Sequence, residues 1–600
     1  MAYAGTYLRV NLSNGTIATA PLDPDLARRF LGGRGLATKL FCDEVDPGID
    51  PFSPDNKLIF ATGPLSGTTA PTGGRYMVVT KSPLTGTIAS SNSGGFFGAH
   101  LKFAGYDLIV FEGRAATPVY LSILDSGVTL KDATPLWGKT VSETTDALVA
   151  ESGVSDARVA CIGPAGENLC LMGAIINDKG RAAGRSGVGA VMGSKNLKAI
   201  VVGTAKKRPA PADEAAFKAA VQESMKRIKA DPVTSQGLPA FGTKVLDNII
   251  NSSGMYPCNN FQTSSFPDVE EVCGEALVEK GYLKRKKGCF GCPIACGRDV
   301  TLPNGMKGEG PEYESGWSFG ALCGVNDLIA ITEANFLCNE MGLDTISMGV
   351  TLAAAMELRE KGLIGKDELG KGPDLKFGSS EAILFYTRAT AFKQGFGAKL
   401  AQGSWRLANG YGHPELSMSV KKQELPAYDP RGVQGQGLAF ATSNRGGCHV
   451  RAYLIALEVL SHPQPADPQE ILSKPTWVKA FQDLTAVIDS AGMCLFTSFA
   501  LGMPEYTALI NAATGWHSTP EQMMAIGERI WNLERQFNLR AGLTAADDTL
   551  PPRLLEVPIA EGPNKGRVVR LSELLPAYYR VRGWGNDGVP TPEKLTELGL

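Results

Sequence analysis

The chain is 600 residues long, 43% hydrophobic and 20% charged, with a formal net charge of -2 and 70 glycines. That length exceeds what one hydrophobic core organises, so two to four domains are expected. The near-neutral charge gives no support for nucleic-acid binding, no apolar run reaches the length of a membrane span, and 12 cysteines are too sparse for a disulfide scaffold.

The N-terminus, Met1-Ala-Tyr-Ala-Gly-Thr-Tyr7, lacks the basic and apolar regions of a signal peptide. Together with the scattered thiols this predicts a reducing, cytoplasmic setting. Residues 7–19 read as a β-hairpin turning at Asn14-Gly15. Further strands are predicted at 57–61, 76–80, 108–111, 119–124 and 199–202. The block up to residue 208 is thus glycine-rich and strand-rich. Lys206-Lys-Arg-Pro-Ala-Pro-Ala212 reads as a linker, followed by a helix capped by Asp213. Beyond it the pattern is mostly helical, with helices opening at Asn326 or Asp327 and at Asp344. A turn-rich stretch at 423–437 precedes a third block, again helical, with a boundary near residue 417.

Cys289-x-x-Cys292-x-x-x-Cys296 lies in a Gly- and Pro-containing loop, and Cys494 stands far downstream. Such a set suits one iron–sulfur cluster, which moves single electrons. A zinc knuckle or a redox dithiol is the competing reading, and zinc lacks a nearby fourth ligand in the usual paired spacing. The run Lys284-Arg285-Lys286-Lys287 abuts the first cysteine; it is either a solvated loop or a surface for an acidic electron carrier. Only five histidines occur, none paired at helical spacing, which argues against a multi-histidine metal site.

Four glycine-rich segments crowd the first block, carrying Arg75, Arg181 and Arg185. Glycine lets backbone N–H groups approach an anion, and arginine pairs with phosphate. None has the strand–GxGxxG–helix layout, so a phosphate-bearing cofactor other than a Rossmann-bound nucleotide is expected. Asn339-Glu-Met-Gly-Leu-Asp344 and Asp489-Ser-Ala-Gly-Met-Cys494 repeat one pattern: a polar residue, two more, Gly, an apolar residue, then a ligand-type residue. A pattern used twice in separate helical blocks implies two equivalent halves of one ligand. Asp344 also suits a plain helix N-cap.

These segments, with residues 181–198, Gly310-Pro-Glu-Tyr-Glu314, Pro426-Ala-Tyr-Asp-Pro-Arg431 and Asn444-Arg-Gly-Gly-Cys-His449, resemble the tungsten-containing aldehyde:ferredoxin oxidoreductases, in order along the whole chain. The resemblance implies an α+β fold: a β-rich N-terminal saddle domain (1–208) and two mainly α-helical domains (209–417 and 418–600) enclosing a bis-pterin metal cofactor. It implies tungsten, with molybdenum as the alternative, held by pterin sulfurs and by no side chain, and Mg2+ linking the pterin phosphates. By resemblance, Arg75, Asn92, Gly94, Arg181, Ala182 and Gly184 contact the phosphate side. Asn339, Leu343, Asp344, Arg445, Asp489 and Met493 grip the pterins. Cys289, Cys292, Cys296 and Cys494 hold a [4Fe-4S] cluster, with Cys494 beside one pterin.

The implied reaction oxidises an aldehyde to a carboxylic acid with water as oxygen source, and ferredoxin or an iron–sulfur subunit accepts the electrons. Glu314 and His449 are the candidate catalytic pair, with Tyr313 placed to orient either. Two departures stand out. The first pterin motif begins with Asn339 where the family has Asp, so its contact loses charge assistance. Members that bridge two subunits through an iron use Glu-x-x-His; here the segment is Glu333-Ala-Asn-Phe336, so an oligomer or hetero-complex without that interface iron is expected. The tungsten subunit of a benzoyl-CoA-type aromatic-ring reductase is the alternative enzyme, and a non-catalytic electron-transfer subunit the alternative class.

Overall fold

The computed structural model describes residues 2–205 and 207–600; Lys206 of the expected linker lies outside them. The first block folds into two mixed six-stranded sheets. In the first, β1 (Thr6–Asn11), β2 (Thr16–Pro21), β3 (Leu58–Thr62), β4 (Tyr76–Lys81), β5 (Ile88–Ser93) and β6 (Leu108–Glu112) run in the order β2-β1-β6-β3-β4-β5. In the second, β7 (Val119–Leu124), β8 (Gly127–Asp132), β9 (Arg158–Cys161), β10 (Ile175–Asn177), β11 (Arg181–Ala183) and β12 (Leu197–Gly203) run β11-β10-β9-β12-β7-β8. One pair in each sheet is parallel, β1 with β6 and β12 with β7.

The period of two along the strands explains the packing. On β3, Leu58 and Phe60 face the second sheet, joining Leu121, Ile123, Ile200 and Val202 in one core. Ile59 and Ala61 face the opposite way, against Phe41, Ile488 and Ile530 of helices. Every residue of β3 is therefore buried. Strands covered on both faces read as continuous apolar runs, which is why β3, β4, β6, β7 and β12 are legible in the sequence.

The first hairpin differs in its turn. Asn11 pairs with Thr16, leaving a four-residue loop rather than a two-residue Asn-Gly turn. The Asn11 side chain accepts from Ser13 N and Asn14 N at 3.0 and 3.3 Å, which stabilises the longer loop.

The helical part begins with Glu214–Ala230, capped by Asp213. Asp327 caps Leu328–Met341 and Asp344 caps Thr345–Glu360. The cysteine loop connects β13 (Leu283–Lys287) to β14 (Gly297–Thr301), which with β15 (Lys307–Glu309) form a small antiparallel sheet. The basic run is thus an outer strand, not a loop. The expected turn-rich stretch also changes character, because Gln434–Thr442 is helical despite Gly435 and Gly437. A distant carboxylate accounts for it: Glu458 accepts from Gly435 N at 2.8 Å and Gln436 N at 3.0 Å, satisfying two orphan donors of the first turn. The largest core draws on residues from both sides of position 417. Among the described residues no helix is long and apolar enough to cross a membrane.

Candidate active site

The two repeated motifs end two helices, and each helix end is clamped to a different sheet. Gly342 and Gly492 sit in the left-handed region, with φ of 72° and 86°, and cap Leu328–Met341 and Lys474–Ala491. Only glycine takes that conformation without strain, so the same residue recurs for the same reason. The first motif docks on the second sheet: Ala174 N donates to Gly342 O at 2.8 Å and Asp344 N to Met172 O at 3.0 Å. The second docks on the first sheet: Leu65 N donates to Ala491 O at 3.0 Å and Arg75 N to Gly492 O at 3.3 Å. A Cβ on Gly63 would stand 2.1 Å from Ala491 C, so this approach needs glycine.

Between the two clamps lies a cavity of about 320 Å³. Its walls include Arg75, Asn92, Gly94, Arg181, Ala182 and Gly184 from the sheets. Asn339, Leu343, Asp344, Arg445, Asp489 and Cys494 complete it from the helical side, with Glu314 and His449 among them. Of the residues expected to hold the cofactor, only Met493 is elsewhere. It is fully buried in the core beneath, because the αL glycine before it turns its side chain inward.

The carboxylates of the two motifs are already engaged. Asp344 accepts from Ile346 N at 3.0 Å, from Ser347 Oγ at 2.7 Å and from Arg185 Nε at 3.1 Å. Its N-cap role and its place in the cavity therefore coexist. Asp489 accepts from Asn92 Nδ2 at 3.0 Å and from Arg451, with Arg34 at 3.5 Å. Arg34 in turn holds Glu534 through two bonds of 2.7 Å. Arg445 donates to Ser90 O at 2.6 Å and to Cys448 Sγ at 2.9 Å. Burial pushes the Cys448 thiol up, but Arg445, Arg451 and Arg185 outweigh it and bring it below its ordinary value.

Glu314 and His449 meet across the cavity. Glu314 lies in the first turn of the helix Tyr313–Phe319. Its Oε2 accepts from Ala427 N at 2.9 Å, which leaves Oε1 3.6 Å from His449 Nε2. Glu314 Oε1 and His449 Nδ1 are buried without a hydrogen-bond partner. Buried polar atoms in native proteins are usually hydrogen-bonded, so these two retain capacity for a partner within the cavity. Burial raises the Glu314 carboxyl to about 8, against the smaller opposing effects of the Ala427 N–H and Arg185. Burial, with Arg185 and Arg445 nearby, holds His449 well below its ordinary value, so the imidazole is neutral. Among the described residues no arginine pairs with Glu314, and His449 keeps an exposed edge in the cavity.

Tyr313 does not reach this pair. Its hydroxyl donates to Ala427 O at 2.8 Å, and its ring packs between Tyr256 and Tyr428. It bonds the same residue as Glu314 does, Ala427, but at the C=O rather than the N–H.

The four expected cluster cysteines converge on one edge of the cavity. Arg75 Nη2 donates to Cys494 Sγ at 2.9 Å, while Nη1 donates to Asn92 Oδ1 at 2.9 Å. A Cβ on Gly94 would stand 2.9 Å from Cys289 Sγ. Burial opposes the Arg75 charge, and Cys494, Cys289 and Cys296 more than offset it. Burial and then Cys494 push the Cys292 thiol up. Among the described residues no three Cys, His or acidic groups are close enough to hold a single metal ion. Cys289 and Cys292 are partly exposed, so this edge reaches the surface.

The aldehyde ferredoxin oxidoreductase N-terminal domain matches residues 7–204, and domains 2 and 3 of that family match 219–600. This chain belongs to that family. As a member of the aldehyde ferredoxin oxidoreductases it is an oxidoreductase with the α+β fold described above. It is 57% identical to the tungsten-containing aldehyde ferredoxin oxidoreductase of Pyrococcus furiosus, over 99% of this chain and 98% of that one. It is 55% identical to the enzyme of the same name from Pyrococcus abyssi, over 100% and 99%. A solved structure, the active-site complex of benzoyl coenzyme A reductase with a dienoyl-CoA, is 27% identical. It superposes with a TM-score of 0.87 over 100% of this chain and 97% of that chain.

Sequence reasoning missed several residues of the site. Arg451, Arg34 and Glu534 support Asp489, and Tyr428 and Tyr453 flank His449 with ring centroids 6.0 and 6.1 Å away. Tyr428 falls in Pro426-Ala-Tyr-Asp-Pro-Arg431, where nothing marks it for His449, and the others belong to no local pattern. Their only signal is three-dimensional. In the segment where some relatives by resemblance carry an iron ligand, Glu333 is bonded by Asn304 and Phe336 is buried over Gly308.

Proposed function

We propose that this protein is a tungsten enzyme that oxidises aldehydes to carboxylic acids with water as oxygen source. The observation that carries the reading is the meeting of Glu314 and His449, each with an orphaned polar atom, in a cavity bounded by both glycine-capped motifs. The residues fit a bis-pterin group. Arg75, Arg181, Ala182 and Gly184 would lie along its phosphates, whose charge Mg2+ would help to neutralise, while Asn339, Leu343, Asp344, Arg445 and Asp489 would hold the rings. Cys289, Cys292, Cys296 and Cys494 would hold a [4Fe-4S] cluster. When bound, such a group would supply two-electron redox chemistry and the cluster would supply single-electron transfer.

The remaining steps are those of this chain's own side chains. Converting an aldehyde and water to an acid releases two protons with the two electrons. Glu314 accepts a proton from the water, a role suited to a carboxyl that titrates near the working pH. The Ala427 N–H fixes Oε2, so Oε1 faces the reacting atoms. Neutral His449 donates its N–H to the carbonyl oxygen, where negative charge develops. Burial strengthens both interactions by excluding water.

Anaerobic reduction of a viologen dye with acetaldehyde or benzaldehyde as sole donor tests the reading. Aldehyde-dependent reduction with matching carboxylate is expected. The superposition on benzoyl coenzyme A reductase favours one second reading, an aromatic-ring reductase, in which reduced viologen would instead be oxidised on addition of benzoyl-CoA.

The electrons would leave to ferredoxin or an iron–sulfur subunit at the exposed edge near Cys289 and Cys292. Lys284 and Lys286 on β13 are exposed there, whereas Arg285 pairs with Asp299 at 2.6 Å and Lys287 with Glu309 at 3.2 Å. Positive charge at this edge attracts an acidic carrier and is screened by salt. The rate of carrier reduction is therefore expected to fall as ionic strength rises while the rate with a viologen dye changes less. Equal salt dependence for both would remove the docking role of β13.

A further inference from the structure

Each turnover of the proposed reaction leaves protons in a buried cavity, and they must reach solvent before the next. A chain of hydrogen-bonding side chains leads from that cavity to the surface. It starts at Asp344, which lines the cavity with Glu314. Burial, with a smaller contribution from the Asp344 charge, raises the Glu314 carboxyl, so the two carboxylates stand near each other. Ser347 Oγ donates to Asp344 Oδ2 at 2.7 Å. Beyond Ser347 lies Glu424, fully buried and unused by the steps above. Glu424 Oε1 accepts from Ser404 Oγ at 3.0 Å. Ser404 Oγ and Ser417 Oγ are 2.8 Å apart, as are Ser417 Oγ and Ser419 Oγ, and in both pairs either hydroxyl can donate. Ser347, Ser404 and Ser417 are buried, whereas Ser419 is half-buried and brings the chain to the surface.

Glu424 also has a plain structural task, and that task leaves half of it unused. Its Oε1 accepts from Ser404 N at 2.9 Å, which satisfies the start of the helix Ser404–Gly410. Its Oε2 is buried without a hydrogen-bond partner among the described residues, although the Ser347 hydroxyl stands beside it. Ser347 has one proton and two carboxylates to serve, so it can swing from Asp344 to Glu424. Burial raises the Glu424 carboxyl above its ordinary value, against the smaller effects of Ser347, the Ser404 N–H and Arg185, which favours uptake of that proton. The backbone fixes the outer half of the chain. Ser419 lies opposite Glu424 in the hairpin of β16 (Ser419–Val420) and β17 (Gln423–Glu424). The turn between them holds Lys421 and Lys422 at φ of 49° and 66°, with Lys421 anchored to Asp548 at 2.8 Å. Such strained positions persist only where the surroundings impose them, and they cluster at functional sites.

We propose that Asp344, Ser347, Glu424, Ser404, Ser417 and Ser419 form a relay that carries the protons of aldehyde oxidation to the surface. The inference rests on the proposed aldehyde oxidation and adds the proton exit. Only protons move along it. Water in the cavity passes one from Glu314 to Asp344. Ser347 takes it from Asp344 while releasing its own to Glu424 Oε2. The Glu424 carboxyl turns and hands the proton to Ser404, and the three serine hydroxyls pass it to water outside.

Ser417→Ala and Glu424→Gln test the relay, since neither residue lines the cavity and Gln keeps an acceptor for Ser404 N. Each is expected to lower kcat for acetaldehyde with excess viologen by about 10-fold at unchanged KM, less than the about 10²–10⁴-fold of a direct proton acceptor. The solvent deuterium isotope effect on kcat is expected to rise as proton exit becomes limiting. Ser417→Thr, which keeps a hydroxyl in the chain, is expected to retain wild-type kcat and isotope effect. Infrared spectroscopy gives a readout that needs no turnover: the Glu424 carboxyl band, identified by its loss in Glu424→Gln, is expected to exchange in D2O more slowly in Ser417→Ala than in the wild type. Wild-type kcat, isotope effect and exchange in Ser417→Ala would overturn the relay alone, and so would an equal loss in Ser417→Thr. A wild-type protein that oxidises no aldehyde would overturn the proposed function and the inference with it.

Discussion

Exchanging Glu314 for Gln leaves the metal content unchanged and lowers kcat by about 10²–10⁴-fold, the usual contribution of a positioned proton acceptor. The amide keeps the size of the side chain and can still accept from Ala427 N, so the helix start and the cavity shape are retained. It cannot take a proton. In the wild type, burial raises the Glu314 carboxyl to about 8, so the reactive carboxylate grows as pH rises and kcat/KM rises through a limb near that value. The residual activity of Glu314→Gln lacks the limb. His449 is held neutral by burial, Arg185 and Arg445, so no histidine limb appears in the same window. A variant with near-normal kcat, or one that keeps the limb, would remove Glu314 from the reaction.

Asp489→Ala is expected to cost about 3–5 kcal/mol of stability, because it strands buried cations. Asp489 is 7% exposed, and its carboxylate is shared by Arg451, Arg34 and the Asn92 amide. Arg34 keeps Glu534 as a partner, but Arg451 loses its carboxylate. Burial and the neighbouring Arg445 and Arg34 already push Arg451 down to about 9, so it has little tolerance for that loss. Asp489→Asn retains an acceptor for Asn92 and Arg451 and is expected to cost less. The comparison is read from thermal midpoints at one cofactor content. An unchanged midpoint in Asp489→Ala would mean that the network does not support the second motif.

Much of this site was legible because its pieces leave local marks. A glycine that must be αL to end a helix recurs at the same place in both motifs, and an Asp before an apolar run announces the helix it caps. Strands buried on both faces mostly show as apolar runs, whereas β5, β8, β9, β10 and β11 were missed. Ile88–Ser93 is mostly serine and asparagine, and Arg181–Ala183 has three residues. Their strand character comes from pairing and not from propensity. Tyr313 sits beside Glu314 in sequence and invited a shared role, yet adjacent residues on a helix do not face the same way. Arg451 and Tyr453 carry no spacing signal, since long-range packing alone brings them to the site.

The central claim is that the cavity between the two glycine-capped motifs holds a tungsten cofactor, with an iron–sulfur cluster as its electron exit. Elemental analysis of the protein isolated anaerobically with its native partners tests it most directly. The account predicts about one tungsten and about four irons per chain, with the iron lost and the tungsten centre retained in Cys289→Ser. Iron with neither tungsten nor molybdenum, or zinc at the cysteines, would contradict it.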